Sequence, residues 1–378
     1  MRIGFDLRPF LREETGVGVY FRNLLFALAR LDAENEYFLF SASWKDRFAA
    51  DKIPPFRRSH FRDKRWPVRA VNAAWYGVGR PKLDTVFGTR LDLTHSPTPL
   101  VLPTRGKTIV TVCDLFFMDD PARADADARR HFLGRTESSL RRADGVIVIS
   151  EFTKRAVQRR FGLDERKIKV THLGLSDAFK GPADAAAVER TRRTFGLPDE
   201  FLLFVGATEP RKNLTRLIDA LAVVHKRHKK IPLAVVGRPG AGQSALVERI
   251  KERNLESDVR LLGYLAEDDV RNLYRAAAAF VFPSSCEGFG LPLLEAMAGG
   301  LPAAVSGVSA LPEVGGDAAL YFDPDDADDI ADKIITVLTD DGLRAKLKAR
   351  GLERSATFRW DKTAAETLDF YRVVAGSA

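Results

Sequence analysis

The sequence predicts an α/β protein of two domains, each with a parallel sheet covered by helices. Short apolar runs alternate with helical patterns along most of the chain, which is typical of consecutive βαβ units. At 378 residues, the chain is too long for one ordinary domain and fits two. With 45% apolar residues and well-mixed charge, it has the composition of a folded globular protein.

The strands are predicted from short apolar runs bounded by glycine, proline or polar residues. In the N-terminal half, they are 2–7, 36–42, 91–96, 108–115, 144–150 and 167–173. In the C-terminal half, they are 201–206, 232–237, 259–265, 278–284, 301–306 and 318–322. Continuous apolar runs of this kind suit strands that are buried on both faces of a parallel sheet.

Helices are predicted between these strands from amphipathic spacing and terminal signals. They are 18–31, 127–142, 151–161, 214–227, a segment with Glu267 and Asp268 near its start, and 291–300. Asn213 can cap the helix 214–227, Pro292 lies near the first turn of 291–300, and Gly299 and Gly300 end that helix.

Domain limits are predicted from composition and from the last helix. The stretch 175–200 is rich in Ala, Pro, Gly and charge, so we expect a Rossmann-like N-terminal domain over 1–178 and a second one over 179–358. The closing segment predicts a helix after the last strand. We therefore expect 359–378 to pack back toward the N-terminal domain.

Composition also narrows the class of protein. No run of 18 or more apolar residues predicts a membrane span, and the N-terminus suits a first strand better than a signal peptide. Cys113 and Cys286 predict no metal framework and suit a reducing compartment, so we expect a cytoplasmic protein. The net charge of +8 is compatible with nucleic acid, anionic lipid or phosphorylated small molecules, but no nucleic-acid module is recognisable.

The most informative motif runs from Glu287 to Glu295, between a predicted strand and a helix. Gly288 and Gly290 allow a ligand to approach the backbone closely, and the helix N-terminus offers N–H groups to an anion. The two carboxylates, eight residues apart, can each hold a pair of sugar hydroxyls. A strand–loop–helix with surface glutamates would explain an isolated pair, but it explains the full motif poorly.

Two further loops also lie between a strand and a helix. In 206–213, Arg211 and Lys212 are placed to neutralise a diphosphate, since arginine can bind two oxygens at once. Near the N-terminus, Gly16 and Gly18 precede a helix and suggest a phosphate or sugar close to the backbone, although a tight turn is an equal alternative. The full Gly-x-Gly-x-x-Gly pattern of a dinucleotide site is absent from the sequence.

Taken in order, these motifs resemble family 4 of the retaining glycosyltransferases, in particular its mannosyltransferase-like members, which have the GT-B fold. The resemblance covers nearly the whole chain. The matching pieces are the loop 16–18 and the segments 94–97, 111–115, 148–154, 209–213, 262–265, 287–298 and 358–368. The resemblance implies two Rossmann-like domains that face each other across a cleft.

The resemblance also implies roles for individual residues. Glu287 would contact the donor sugar and Glu295 the ribose hydroxyls, while Arg211 and Lys212 would hold the diphosphate. Gly263 and Tyr264 would lie beside the nucleobase. The remaining donor contacts would come from the backbone of Gly16, Gly18, Gly288, Phe289, Gly290 and Leu291.

The implied reaction is transfer with retention of configuration from a GDP- or UDP-sugar. The acceptor would be a saccharide or a polyprenyl-diphosphate-linked molecule in polysaccharide or glycolipid synthesis. No cofactor or metal is expected, because cations and a helix terminus would stabilise the leaving diphosphate. Two alternatives stay open: a nucleotide-sugar epimerase of GT-B type, and a non-catalytic sugar-nucleotide binding protein.

One position departs from the family pattern. Relatives carry a histidine near the outer hydroxyl of the donor sugar where this chain has Cys113. Either the donor lacks a 6-hydroxyl, as a 6-deoxy sugar or pentose does, or the contact is not needed here. Asp114 is grouped with Glu287 and Cys113 as catalytic, whereas His95 and Ser150 are expected on the acceptor side. A buried structural role for His95 is equally compatible with the sequence.

Two charged segments have patterns that also occur in metal-binding or membrane-binding proteins. Asp125 and Asp127 have the spacing of a metal-binding Asp-x-Asp motif, but they lie in an acidic, Ala-rich stretch that suits a solvent-facing surface. The segment 57–69 mixes arginine and lysine with aromatic residues. It suits either peripheral contact with the inner face of an anionic membrane or an ordinary basic surface.

Overall fold

The chain forms two compact units. The computed structural model describes residues 1–11, 16–120, 132–179, 181 and 184–376. Unit 1 comprises Met1–Gly174 together with Arg359–Ala378, and unit 2 comprises Leu175–Phe358. The C-terminal segment therefore belongs to the same unit as the N-terminus.

The described residues of unit 1 form a parallel sheet of seven strands in the order β3-β2-β1-β4-β5-β6-β7. Its strands are β1 (Arg2–Asp6), β2 (Glu36–Ala42), β3 (Ser59–Lys64), β4 (Leu93–Ser96), β5 (Lys107–Val112), β6 (Gly145–Val148) and β7 (Ile168–Val170). The strand order reverses between β1 and β4. A reversal of this kind opens a crevice at the carboxyl ends of the strands, where ligands bind on open parallel sheets.

The described residues of unit 2 form a second parallel sheet, of six strands, in the order β10-β9-β8-β11-β12-β13. Its strands are β8 (Leu202–Val205), β9 (Leu233–Val236), β10 (Val259–Gly263), β11 (Ala279–Phe282), β12 (Ala303–Ser306) and β13 (Leu320–Phe322). The strand order reverses between β8 and β11, so the loops that follow these two strands lie side by side.

Helices connect the strands in both units. The first part of unit 1, up to Gly174, contains α1 (Gly16–Leu31), α2 (Val68–Ala73), α3 (Leu83–Phe87), α4 (Phe116–Asp119), α5 (Thr136–Arg142) and α6 (Glu151–Phe161). In unit 2 they are α7 (Ala185–Thr194), α8 (Leu214–Arg227), α9 (Gln243–Glu252), α10 (Glu267–Ala276), α11 (Leu291–Ala298), α12 (Leu311–Gly315), α13 (Ala327–Thr339) and α14 (Asp341–Ser355). The last helix, α15 (Trp360–Ala375), lies in unit 1.

Shorter helical turns complete the described secondary structure. They are 3₁₀ turns at Arg8–Phe10, Ala50–Lys52, Glu165–Lys167, Asp177–Phe179 and Pro210–Lys212, and a π-helical turn at Ala74–Val78 that continues α2. The turn at Pro210–Lys212 follows β8 and carries two of the candidate site residues.

The predicted fold class, two parallel α/β sheets, is confirmed, and every predicted strand overlaps an observed one. The strand β3 was not predicted. It lies at the edge of the sheet, and all its side chains except Phe61 are polar; Ser59, His60 and Arg62 are exposed, while Phe61, Asp63 and Lys64 are half-buried. Edge strands commonly carry charge, so they lack the apolar signal by which buried strands are recognised.

The C-terminal helix α15 packs against α1. Its start passes very close to Gly174, where a Cβ atom would lie 2.2 Å from the backbone nitrogen of Trp360. Only glycine fits this crossing, because any side chain would overlap the helix backbone. The absence of a side chain at Gly174 thus allows the chain to return to unit 1 at this point.

The start of α8 differs from its prediction. Asn213 occupies the N-cap position but has a left-handed backbone (φ 57°), and its side chain makes no capping hydrogen bond. Instead its Nδ2 donates to the carbonyl of Pro324 at 2.7 Å. Asn213 therefore ties the loop after β8 to the loop after β13. The other helix signals, Pro292 at the start of α11 and the acidic first turn of α10, are confirmed.

Candidate functional site

The centre of the candidate site in unit 2 is an ion-pair cluster between the loops that follow β8 and β11. Lys212 Nζ donates to Glu287 Oε1, and Arg211 Nη1 lies 3.2 Å from Glu287 Oε2. Arg211 also donates to the carbonyl of Cys286 at 3.0 Å. Because β8 and β11 are neighbours at the strand-order reversal, residues 75 positions apart in sequence meet there.

Glu287 is held on every side by short polar contacts. Ser284 Oγ donates to Glu287 Oε1 at 2.6 Å, and the Glu287 backbone N–H donates to Ser309 Oγ at 3.1 Å. Glu287 as a whole is 7% exposed. A buried carboxylate with two cationic partners and a hydroxyl donor has one fixed orientation, as a preorganised electrostatic site requires.

The electrostatic balance of Glu287 strongly favours the ionised form. Burial alone raises the pKa of this carboxyl. The charges of Lys212 and Arg211, with the hydrogen bonds from Lys212 and Ser284, outweigh burial and bring the pKa down to about 2. Lys212 is itself buried, and its ammonium group lies 4.8 Å from the centre of the Phe282 ring. The cluster stays fully charged at neutral pH.

The backbone of 288–291 leads from this cluster into α11. Gly290 has a left-handed backbone (φ 110°), and a Cβ there would lie 2.6 Å from a methyl group of Leu311. Phe289 is buried and packs edge-on against Phe358, with 5.7 Å between ring centres. Phe289 thus anchors the loop, and Gly290 allows the turn that directs the helix N-terminus toward the ion-pair cluster.

Glu295 lies one turn into α11 and has the opposite electrostatic character. Its Oε2 accepts a hydrogen bond from the hydroxyl of the buried Tyr274 at 3.0 Å. Burial raises the pKa of Glu295 to about 7, with Glu267 adding to the shift and the Tyr274 bond opposing it. The pKa of Glu295 therefore lies near neutrality, unlike that of Glu287.

Gly263 and Tyr264 lie where β10 ends, beside the loop after β9. The Tyr264 ring is 68% exposed, and the Arg238 guanidinium lies over it at 4.5 Å from the ring centre. Gly263 has a left-handed backbone (φ 70°), and its carbonyl accepts from the Gly237 N–H at 2.8 Å. An exposed aromatic face held by a guanidinium can stack against a planar ligand group.

Unit 1 holds the other predicted site residues. Gly16 is the exposed first residue of α1 and Gly18 is buried in its first turn, whereas Thr15 lies outside the described residues. Asp114 accepts from the Phe116 backbone N–H at 3.1 Å. Cys113 is half-buried; burial and the neighbouring Asp114 charge raise the pKa of its thiol, so it is a neutral thiol at physiological pH.

His95, expected either on the acceptor side or in a buried structural role, lies in the interior of unit 1. The ring is fully buried, its Nδ1 lies 2.6 Å from the Tyr371 hydroxyl, and its Nε2 lies 2.7 Å from Thr111 Oγ1. Burial lowers the pKa of His95 to about 3, so the ring is neutral. Thr111 in turn contacts the Tyr20 hydroxyl at 3.0 Å. His95 is part of a buried network that links β4 and β5 to α1 and α15.

Ser150, the second residue expected on the acceptor side, also has buried partners within unit 1. It is the N-cap of α6, its side chain accepts from the Thr153 N–H at 3.1 Å, and it is fully buried. Its hydroxyl also bonds to Thr153 Oγ1, which reaches the carbonyl of Cys113. The motif around Ser150 therefore positions the loop of Cys113 and presents no free hydroxyl to a ligand.

Several residues that build the site were missed by sequence analysis. Ser284 and Ser309 hold Glu287, Tyr274 holds Glu295, and Arg238 covers Tyr264. Only Ser284 lies close enough in sequence to its partner to be found from local spacing. The others come from different loops, and a single sequence carries no signal that pairs them.

Known proteins match both halves of the chain. A family model described as "Glycosyltransferase Family 4" matches residues 15–179, and one described as "Glycosyl transferases group 1" matches residues 188–354. The O-antigen chain mannosyltransferase B of Escherichia coli is 32% identical over 284 residues, which are 74% of this chain and 74% of that protein. The chain belongs to glycosyltransferase family 4. It is therefore a glycosyltransferase, and the enzyme class predicted from the motifs is confirmed.

Other relatives of this glycosyltransferase differ in length. The serotype-specific mannosyltransferase WbdA of Escherichia coli is 31% identical over 329 residues, which are 85% of this chain but only 40% of that protein. Among solved structures, the sucrose-phosphate synthase of Thermosynechococcus elongatus has a TM-score of 0.77 at 20% identity and covers 100% of both chains. This likeness confirms the GT-B prediction at the level of fold.

The described residues contain neither a metal-binding cluster nor a membrane-spanning helix. In the part of the chain that the structure describes, no group of three or more His, Cys, Asp and Glu side chains is placed to hold a metal ion. Among the same residues, no helix is both long and apolar enough to cross a membrane. Asp125 and Asp127, the predicted surface pair, lie outside the described residues.

Proposed function

We propose that the enzyme transfers a sugar from a nucleoside diphosphate sugar to an acceptor hydroxyl with retention of configuration. The observation that carries the proposal is the buried cluster of Arg211, Lys212 and Glu287 beside the N-terminus of α11. Two cations and a helix terminus are the groups that stabilise a departing diphosphate. In this proposal Glu287 orients both cations and faces the donor sugar, and Glu295 accepts hydrogen bonds from the ribose.

The proposed chemistry needs no protein nucleophile. The bond between the anomeric carbon and the diphosphate oxygen breaks, and the acceptor oxygen forms a new bond on the same face of the sugar. The acceptor proton passes to an oxygen of the leaving diphosphate. Glu287 is ionised and already engaged by Lys212 and Ser284, which suits a positioning and electrostatic role.

The first donor to test is GDP-mannose, because the relatives that cover most of this chain are named mannosyltransferases. Because of Cys113, the test also includes donors whose sugar lacks a 6-hydroxyl. Where the sugar lacks a 6-hydroxyl, as in GDP-fucose, GDP-rhamnose or a pentose donor, a neutral thiol is a better neighbour than a polar side chain. UDP-sugars complete the panel.

The test is to incubate the enzyme with each nucleotide sugar and to measure release of nucleoside diphosphate. Because water also accepts the sugar slowly, the assay does not require knowledge of the acceptor. A glycosyltransferase releases the diphosphate and a sugar of retained configuration, detected by NMR immediately after release. Return of an altered nucleotide sugar would instead identify an epimerase, and release of nothing from any donor would contradict the proposal.

We also propose that transfer requires no metal ion. Arg211 and Lys212 supply the positive charge that a divalent ion supplies in other transferases. Turnover is expected to be the same in EDTA and after addition of Mg²⁺ or Mn²⁺. An enzyme that EDTA inactivates, and that either ion restores, would contradict this part of the proposal.

The acceptor is proposed to be a saccharide or a polyprenyl-diphosphate-linked molecule, used at the inner, cytoplasmic face of a membrane. The supporting feature is the basic edge of the unit-1 sheet, where Arg57, Arg58 and Arg65 are exposed beside β3. Positive charge at this density is attracted to anionic lipid and is screened by salt. An ordinary solvated edge strand is the competing explanation.

Vesicles of anionic phospholipid distinguish these explanations. The enzyme is expected to bind them at low salt, and reversal of Arg57, Arg58 and Arg65 to Glu is expected to release it. A matched variant reverses three exposed arginines of unit 2, Arg190, Arg193 and Arg253, and should still bind. No binding at low salt, or equal loss in both variants, would end the membrane proposal.

A further inference from the structure

Three neighbouring loops at the carboxyl edge of the unit-2 sheet are hydrogen-bonded in a row. In the loop after β8, which also carries the two cations of the ion-pair cluster, the Thr208 N–H donates to the carbonyl of Arg238 at 3.1 Å. In the loop after β9, the Gly237 N–H donates to the carbonyl of Gly263 at 2.8 Å. Because β8, β9 and β10 are consecutive in the sheet, the three loops form one continuous surface.

The loop after β9 is fixed against the loop after β8. Gly237 has a positive φ of 148°, and a Cβ atom there would lie 2.0 Å from the carbonyl oxygen of Gly206. Thr208 is buried, and its Oγ1 accepts from the Gly240 N–H at 2.7 Å. The backbone on either side of Arg238 is therefore held in place.

The side chains of Arg238 and Tyr264 form the exposed part of this surface. Tyr264 is 68% exposed, and the Arg238 guanidinium lies 4.5 Å from the centre of its ring. A guanidinium carries five N–H donors in a rigid plane, so it can stack on a ring, keep a protein partner and still donate to a ligand. The pair thus offers directed donors beside an aromatic face.

The position of this pair relative to the ion-pair cluster matches the shape of a nucleotide. Adjacent strands lie about 4.8 Å apart, so the end of β10 lies about 10 Å from the end of β8. A ribose separates a nucleobase from its diphosphate over a span of this size. Glu267, three residues after Tyr264, is close enough to Glu295 to raise the pKa of that carboxyl, so the residue proposed to bind the ribose lies near the start of α10.

We infer that Arg238 recognises the nucleobase of the donor and selects guanine. The inference rests on the proposed function, in which unit 2 binds a nucleoside diphosphate sugar. Guanine presents two adjacent acceptors, O6 and N7, to which one arginine can donate two parallel hydrogen bonds. The two carbonyl oxygens of uracil are separated by an N–H and offer no such pair. Tyr264 is a positioning residue that holds the guanidinium beside the base.

The test compares four nucleoside diphosphates by isothermal titration calorimetry on the full chain. GDP and IDP both carry O6 and N7, 7-deaza-GDP lacks N7, and UDP lacks the adjacent pair. The wild type is expected to bind GDP and IDP with similar affinity and 7-deaza-GDP more weakly. UDP is expected to bind about tenfold or more weakly than GDP, since a bidentate contact discriminates to this degree.

Variants of Arg238 connect the preference to the guanidinium. Arg238→Gln and Arg238→Lys are both expected to weaken binding of GDP and IDP about tenfold and binding of UDP much less. Lysine keeps the positive charge but cannot donate two parallel bonds, so it separates base recognition from attraction to the diphosphate. Arg260→Gln is the matched control, because Arg260 is an exposed arginine on β10, and it should leave all four affinities unchanged.

Variants of Tyr264 test the positioning role. Tyr264→Ala is expected to lower the affinity for GDP and IDP, whereas Tyr264→Phe should keep it, because phenylalanine retains the ring against which Arg238 lies. Thermal unfolding of each variant reports the fold, and Arg238→Lys alone decides the result if Arg238→Gln unfolds. Equal affinities in Tyr264→Ala and in the wild type would remove the positioning role.

The outcomes separate this inference from the proposed function. A preference for GDP over UDP that Arg238→Lys abolishes supports recognition of guanine. Equal weakening of all four nucleotides in that variant, no change in any of them, or a wild type that prefers UDP overturns it while the donor site stands. Binding of 7-deaza-GDP as tight as that of GDP overturns recognition through O6 and N7. Failure of the wild type to bind every nucleotide contradicts the proposed donor site, and the inference with it.

Discussion

At the scale of single residues, the site contains two glutamates with opposite electrostatic environments. Glu287 is paired with two cations and is ionised at any physiological pH, whereas Glu295 has only a tyrosine donor and titrates near neutrality. The difference comes from partners and not from burial, because burial raises the pKa of both. It supports the electrostatic positioning role proposed for Glu287 and makes the charge of Glu295 sensitive to pH.

Arg211→Gln is expected to lower kcat by about 10²–10³-fold, as loss of one preorganised donor to a developing oxyanion does. The fold should survive, because Arg211 is partly exposed and Glu287 keeps Lys212 and Ser284. Steady-state kinetics with the best donor measure the effect. Arg227→Gln removes a comparable paired arginine on the surface of unit 2 and should leave kcat unchanged. A loss confined to KM would contradict the leaving-group role.

Glu295→Gln is expected to stabilise the free enzyme above neutral pH and to weaken donor binding. Between the ordinary pKa of 4.5 and the folded-state value of about 7, the folded enzyme retains a proton that the unfolded chain has lost. The free energy of unfolding of the wild type therefore falls as pH rises through this window, and glutamine abolishes that fall.

Urea unfolding of both proteins at pH 5 and pH 8 measures the difference. The gain of the variant over the wild type should be larger at pH 8. Its donor KM should rise about 10- to 100-fold, since hydrogen bonds to a charged group contribute about 1.5–3 kcal/mol. An equal stability difference at both pH values would show that Glu295 has an ordinary pKa.

At the scale of elements, α15 is the clearest case of a segment whose place depends on remote partners. Its buried Tyr371 bonds to His95 on β4, and its Thr363 hydroxyl bonds to the carbonyl of His172 at 2.6 Å. Gly174 allows the close crossing at Trp360. These contacts hold the end of the chain on the unit that contains its beginning.

Tyr371→Phe is expected to destabilise unit 1, because it leaves the buried His95 Nδ1 without its partner at a cost of about 1–3 kcal/mol. For a unit of this size, each kcal/mol lowers Tm by about 2–4 °C. Thermal unfolding measures the shift. Asp369→Asn on the exposed face of the same helix is the control, and it should change stability by less than about 0.5 kcal/mol. A shift no larger than that of the control would remove the structural role of the network.

The edge strand β3 is an element that the sequence analysis did not predict. Its own polar and charged side chains made it unrecognisable in the sequence, and the membrane proposal uses the arginines that flank it, Arg57, Arg58 and Arg65. The explanation as a protected sheet edge requires only that the charges be exposed. The vesicle experiment therefore decides whether this strand has a function beyond closing the sheet.

At the scale of the whole molecule, the chain consists of two units with separate parallel sheets. The ion-pair cluster of Arg211, Lys212 and Glu287 lies in unit 2, in the loops that follow the two strands at the strand-order reversal of that sheet. Ligands on open parallel sheets bind at such a point, so the topology of unit 2 supports the proposed donor site.

Hydrogen exchange tests this division on the intact chain. GDP or UDP is expected to protect amides of 206–213, 263–264 and 283–300 in unit 2, because ligand binding stabilises the segments that it contacts. Peptides of unit 1 around Trp75 should show no change with the nucleotide alone. Protection confined to unit 1 would contradict the proposal that unit 2 binds the nucleotide.

The sequence alone determined the fold class, nearly all strands and the donor motif with its family. These features are encoded locally: apolar runs specify buried parallel strands, and the residues from Glu287 to Glu295 are contiguous. Only the tertiary structure decided that His95 and Ser150 are buried and hydrogen-bonded within unit 1, and that the pKa values of Glu287 and Glu295 are shifted in opposite directions. Each of these depends on partners far away in sequence, as in the pairs Lys212–Glu287 and His95–Tyr371. Burial and charge balance arise from such contacts, and no local pattern of residues specifies them.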